Sequence, residues 1–183
     1  MNRRQESAER TRAELIDAGF RLAERTGLSG MSVNDVVAEA GVSKGTFFHH
    51  FGDRASYLLA LHRTFHDGLF GEMQPAFTSL APGRARLLSG ATTYLDSCLR
   101  NRGVRAVLLE ARAEPAITAE VIARNEDTAR LCQADFAAMG WKHSLDSARL
   151  WVGLVAEAAL VEFDAGRRRT STRAALEQYL GSR

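Results

Sequence analysis

The sequence predicts an all-α protein, and two counts carry that expectation. Alanine and leucine together number 50 of the 183 residues, against 13 for valine plus isoleucine. Good helix formers dominate, and the β-branched residues that favour strands are scarce. The three prolines stand at 75, 82 and 115, so the first 74 and the last 68 residues hold none. Long stretches therefore lack the residue that most strongly breaks a helix.

Taken in order, residues 7–26 predict a first helix. Leu15, Ala18, Gly19 and Leu22 recur at i, i+3, i+4 and i+7, with Ile16, Phe20 and Ala23 widening the stripe and Gly27 as its stop. Ser32 with Asp35 three places on has the spacing of a capping box. Val33, Val36, Val37 and Ala40 then make a short second helix ending at Gly41. Ser43 is the next N-cap, and the third helix, Lys44 to His50, puts Phe47 and Phe51 on one side before Gly52 ends it. Asp53 can cap a fourth helix striped by Leu58, Leu61, Phe65 and Leu69.

Gly71 to Gly83, with Pro75 and Pro82, is expected to be a break. Leu87, Leu88, Ala91, Tyr94, Leu95 and Cys98 keep helical spacing after it, and Val104, Val107, Leu108 and Ala111 form another helix that Glu114-Pro115 should end. Ile117 to Met139, Leu145 to Phe163 and Ser171 to Leu180 complete the layout, about nine helices in total. The domain expectation is a head at residues 9–69 and a larger helical domain at 70–183.

Composition also excludes classes. No apolar run approaches the roughly 20 residues of a membrane span. The start, MNRRQESAERTR, has no apolar core of a signal peptide, so the cytoplasm is the expected compartment. Cys98 and Cys132 are too few for a disulfide framework. The net charge is only +2, and 22 of 24 cationic residues are arginine, so bulk charge does not point to nucleic acid. Placement has to decide.

Three short helices with a tight glycine-containing turn between the second and third, motif residues about 32–51, are the ingredients of a helix-turn-helix. In that motif the N-terminal residues of the second helix meet base edges in the DNA major groove. Ser43, Lys44, Gly45 and Thr46 occupy those positions, and Phe48, His49 and His50 follow where side chains flank phosphates. Lys44 supplies cationic donors, Thr46 a hydroxyl and a methyl, and Gly45 room for close approach. The helix start at Ser32 offers free N–H groups to another phosphate.

The stretch AGVSKGTFFHHFGDR, preceded by SVNDVVAEA, closely resembles the DNA-binding domain of TetR-type (tetracycline-repressor-like) transcriptional regulators, over roughly residues 9 to 60. That resemblance implies a homodimeric, ligand-responsive regulator, expected to repress from a palindromic double-stranded DNA operator. It further implies a C-terminal pocket for a small, hydrophobic effector, with no cofactor and no catalytic residues. Two positions depart from the family's habit. Phe48 stands where tyrosine is usual, so a phosphate-directed hydroxyl is absent and packing is the alternative role; Arg54 stands where lysine is common and should preserve a backbone contact.

The resemblance also assigns regions beyond the head. His62, His66, Cys98 and Phe136 are the candidate ligand-contacting residues, and Trp151, Leu154, Val155, Ala158, Leu176 and Tyr179 the candidate dimer residues. His62 and His66 have the i, i+4 spacing of metal ligands, but lack the intervening glutamate of a zincin helix and any nearby cysteine or histidine cluster, so no metal is expected. Cys98 equally fits the core as a small hydrophobe. Arg3, Arg4 and Arg10 are either a mobile DNA-reaching arm or a polar tail. The competing functions are a small all-α enzyme working through His62, His66 or a cysteine, and a helical carrier of lipid or acyl chains. Neither needs the helix from Ser43 to His50.

Overall fold

A computed structural model describes residues 3–27 and 31–181 of the chain. The side chain of Val107 lies outside that description, so its place in the apolar stripe does too. Among the described residues there are nine α-helices and no strand. They are α1 (Arg3–Thr26), α2 (Val33–Ala40), α3 (Lys44–Phe51), α4 (Arg54–Ser79), α5 (Arg84–Arg100), α6 (Arg102–Glu110), α7 (Pro115–Ala138), α8 (Ser144–Ala165) and α9 (Thr170–Tyr179), with a 3₁₀ turn at Ala111–Ala113.

Most boundaries follow local chemistry. Gly41 ends α2 at φ 67°, the left-handed conformation in which a side chain would be strained. Pro115 opens α7, where its missing N–H would have been unpaired in any case. Two expectations fail. α1 begins at Arg3 rather than near residue 7, so Arg3, Arg4 and Arg10 are exposed helical residues rather than a loose arm. The break expected over 71–83 shrinks to the residues between Ser79 and Arg84, because α4 runs through Pro75. Proline deletes one ladder bond to residue 71 and crowds its carbonyl. Here that residue is a glycine with nothing near its missing Cβ, while Leu69 and Ala76 stay buried on either side. Burial outweighs the local penalty.

The chain forms two compact units. One holds the residues up to His66 together with Asn101–Ala119; the other holds Asp67–Arg100 and the chain from Glu120 onward. This differs from the expected division at residues 69 and 70, since α6 belongs with the head. Gly103 explains why. A Cβ there would lie 2.6 Å from the Glu24 backbone, so only glycine admits this approach of α6 to α1, and the Val104 N–H donates to Glu24 Oε1 at 3.3 Å.

The core of the first unit is built by Leu15, Ile16, Leu22, Val36, Phe47, Leu58 and Leu61, all nearly inaccessible. In the second, Leu87, Leu95, Phe136, Trp151 and Ala159 fill the interior. Four charged side chains are buried among them, in two pairs: Arg86 with Asp135, and Glu162 with Arg173. No described helix is long and apolar enough to cross a membrane.

Candidate nucleic-acid interface

The candidate site is the pair α2 and α3 with the turn between them. Ser32 and Asp35 form the expected capping box, in which the Asp35 N–H donates to Ser32 Oγ at 3.3 Å and the Ser32 N–H to Asp35 Oδ2 at 3.3 Å. Ser43 caps α3: its Oγ accepts from the Thr46 N–H at 3.1 Å and pairs with the Thr46 hydroxyl at 2.9 Å. The hydroxyls of Ser32, Ser43 and Thr46 are thus already engaged in shaping the helix starts. The turn closes when the Val42 N–H bonds the Val37 carbonyl at 3.0 Å.

The residues of α3 divide by face. Phe47 and Phe51 point inward, with ring centroids 5.0 and 4.9 Å from that of Tyr57 on α4. Tyr57 is itself buried and donates its hydroxyl to the Leu15 carbonyl at 2.8 Å, and burial pushes its phenol well above the ordinary value. Gly19 leaves room for that hydroxyl, because a Cβ there would run into Tyr57 Oη and would also meet Leu61 Cδ2 at 2.8 Å. The three aromatics tie α1, α3 and α4 together and fix the outward face of α3.

That outward face carries Lys44, Gly45, Phe48 and His49, all exposed. Phe48, for which packing was the alternative, is 48% exposed. His50 is half-buried, and its pKa is lowered first by burial and then by the charges of His49 and Arg12. Arg54 donates from Nε to the Met31 carbonyl at 3.2 Å, so it also braces the segment that enters α2. Sequence reasoning missed Arg21 and Arg25, which both bond Glu39 on α2, at 2.8 and 2.6 Å, and hold its carboxyl below the usual range. Only the fold brings those residues together, and periodicity carries no trace of it.

The remaining candidates fall as follows. His62 is buried and His66 half-buried, their rings 4.3 Å apart on α4. Among the described residues no group of three histidine, cysteine or acidic side chains is placed to hold a metal ion. Cys98 and Phe136 are buried in the second unit, where Phe136 packs edge-on to Trp141 at 5.0 Å. Of the proposed dimer residues, Trp151, Val155, Ala158 and Leu176 are interior to the single chain. Leu154 and Tyr179 face outward, as does Leu150 at 63% exposure.

A tight glycine turn between two short helices, with the second buried on its aromatic face and open on its polar one, defines a helix-turn-helix DNA-binding domain within an all-helical chain. Residues 15–61 match the family described as bacterial regulatory proteins, tetR family. The HTH-type transcriptional repressor KstR2 of Rhodococcus jostii (strain RHA1) is 34% identical over 86 residues, which cover 47% of this chain and 42% of that protein. The chain thus spans less than half the length of that relative. A crystal structure of a transcriptional regulator from Rhodococcus sp. Rha1 superposes with a TM-score of 0.79 over 93% of this chain and 94% of the other, at 23% identity. The multidrug binding protein EbrR, complexed with imidazole, superposes with a TM-score of 0.76 over 100% and 95% of the two chains, also at 23% identity. At such identity the two structures establish a shared fold. The alternative of a small all-α enzyme draws no support from these relatives.

Proposed function

We propose that this chain is a ligand-responsive transcriptional regulator, in which two copies bind a palindromic operator and a small hydrophobic effector releases it. The observation that carries the reading is the outward face of α3: a cationic side chain, an open backbone position, an aromatic ring and an imidazole on one helix whose other face is locked into the core. Such a helix enters a major groove with its N-terminal end against the bases. Lys44 is the base-reading donor, while His49, His50 and the N-terminus of α2 approach phosphates.

The similarity to a repressor and to a multidrug binding protein supports repression with effector release. An effector acts only by binding the DNA-incompetent state more tightly than the competent one. Leu150 and Leu154, one turn apart on the outside of α8, with Tyr179 on α9, form the surface offered to a second copy.

Selection of bound duplexes from a random pool tests the reading. The expected result is an inverted repeat whose half-sites are about 34–36 Å apart or modestly different. Recovery of no sequence above background, from protein that is folded and dimeric, would overturn it.

A further inference from the structure

Phe48 exposes 48% of its surface on a helix whose neighbouring aromatics, Phe47 and Phe51, are 0% and 8% exposed. Its ring meets Phe47 edge-on, with centroids 5.5 Å apart, so one edge is braced by the core while the rest faces out. On the same face, Lys44 lies one turn before it and Gly45 three residues before. A Cβ at Gly45 would find only Ser43 Oγ, at 3.6 Å, so the backbone beside the ring is open to close approach. Leaving a large apolar side chain in water sacrifices burial free energy, and the head does not need this one for its interior.

A phenyl ring cannot donate to a phosphate oxygen. In the major groove, the apolar feature that base edges present is the C5-methyl group of thymine. We propose that Phe48 is a specificity-determining residue that packs against a thymine methyl in each operator half-site, while Lys44 takes the hydrogen-bonding contact one turn earlier. This inference rests on the DNA-binding reading above and sharpens it to one base.

The test uses the full-length protein and the duplex it selects. Each thymine is replaced in turn by deoxyuridine, which removes the methyl and leaves every hydrogen bond in place. For the wild-type protein, one replacement per half-site weakens binding about fourfold, the effect of losing one buried methyl-sized group. Phe48→Ala binds the thymine and uracil duplexes equally, and Phe48→Leu keeps part of the difference. If Phe48 merely supported Phe47, the alanine variant would lose affinity for both duplexes and the thymine preference would survive. A preference that survives in Phe48→Ala, or is absent from the wild type, overturns the proposal. Failure to select any duplex would instead overturn the DNA-binding reading itself.

Discussion

At the scale of single residues, the outward face of α3 separates into groups left free and groups bonded within the helix start. Lys44 is exposed, and no hydroxyl beside it is as free, since Ser43 and Thr46 are bonded to each other. Lys44→Ala should therefore cost about 1–3 kcal/mol of discrimination between operator and random DNA, measured by titration of both duplexes at one salt concentration. Equal weakening of the two would make Lys44 a phosphate contact. His50 supplies a pH signature of opposite sign in the free and bound protein. Its pKa lies below 6.5 in the free head, chiefly through burial. The folded head is thus fully favoured by this group above that value, and loses stability as pH falls from there through the lowered pKa. A phosphate beside the ring would favour the imidazolium and raise its pKa, so operator binding takes up a proton and tightens as pH falls from about 7.5 to about 6. His50→Gln should flatten that dependence; an equally steep profile in the variant would place the proton elsewhere.

Elements were legible to the extent that their signals are local. The capping residues Ser32, Asp35 and Ser43 and the stop residues Gly41 and Gly52 sit where the sequence puts them, because each acts within a few residues of itself. The end of α4 was not legible. Pro75 is a local signal against a helix, whereas the burial of Ala76 that sustains one depends on distant chain. The same distinction holds for charge. Asp135 falls on the stripe of Ala129, Cys132 and Phe136, an apolar row on which a carboxylate is out of place, and that was the available sign of its role. It accepts from Arg86 Nε and Nη2 at 2.7 and 2.9 Å and from the Gly83 N–H at 2.8 Å, joining α7 to the start of α5. Asp135→Asn would remove the counter-charge of a buried guanidinium and should destabilise the second unit by about 3–5 kcal/mol. Both tryptophans, Trp141 and Trp151, belong to that unit, so their fluorescence during urea unfolding reports it directly. An unchanged midpoint would show that the pair is dispensable.

For the whole molecule, the near-neutral balance becomes informative once placement is known. A net charge of +2 gives little sequence-independent attraction to DNA, and in the head Arg21 and Arg25 are already paired with Glu39. Under the proposed function, operator affinity then comes from the specific face of α3 and from using it twice. Residues 145–163 are apolar around most of the helix circumference, and the fold divides that excess. Trp151, Val155 and Ala158 serve the chain's own interior, while Leu150 and Leu154 are left outside. A charge on that outer row would be tolerated by a single chain but buried without a partner between two. Leu154→Arg should accordingly leave helix content and unfolding midpoint close to wild type, while light scattering shows the mass of one chain. With one head per complex instead of two, the number of phosphate contacts halves. The slope of log affinity against log salt should therefore fall to about half the wild-type value. A variant that stays dimeric, or a monomer that keeps the full slope, would show that this face of α8 is not what brings two heads to one operator.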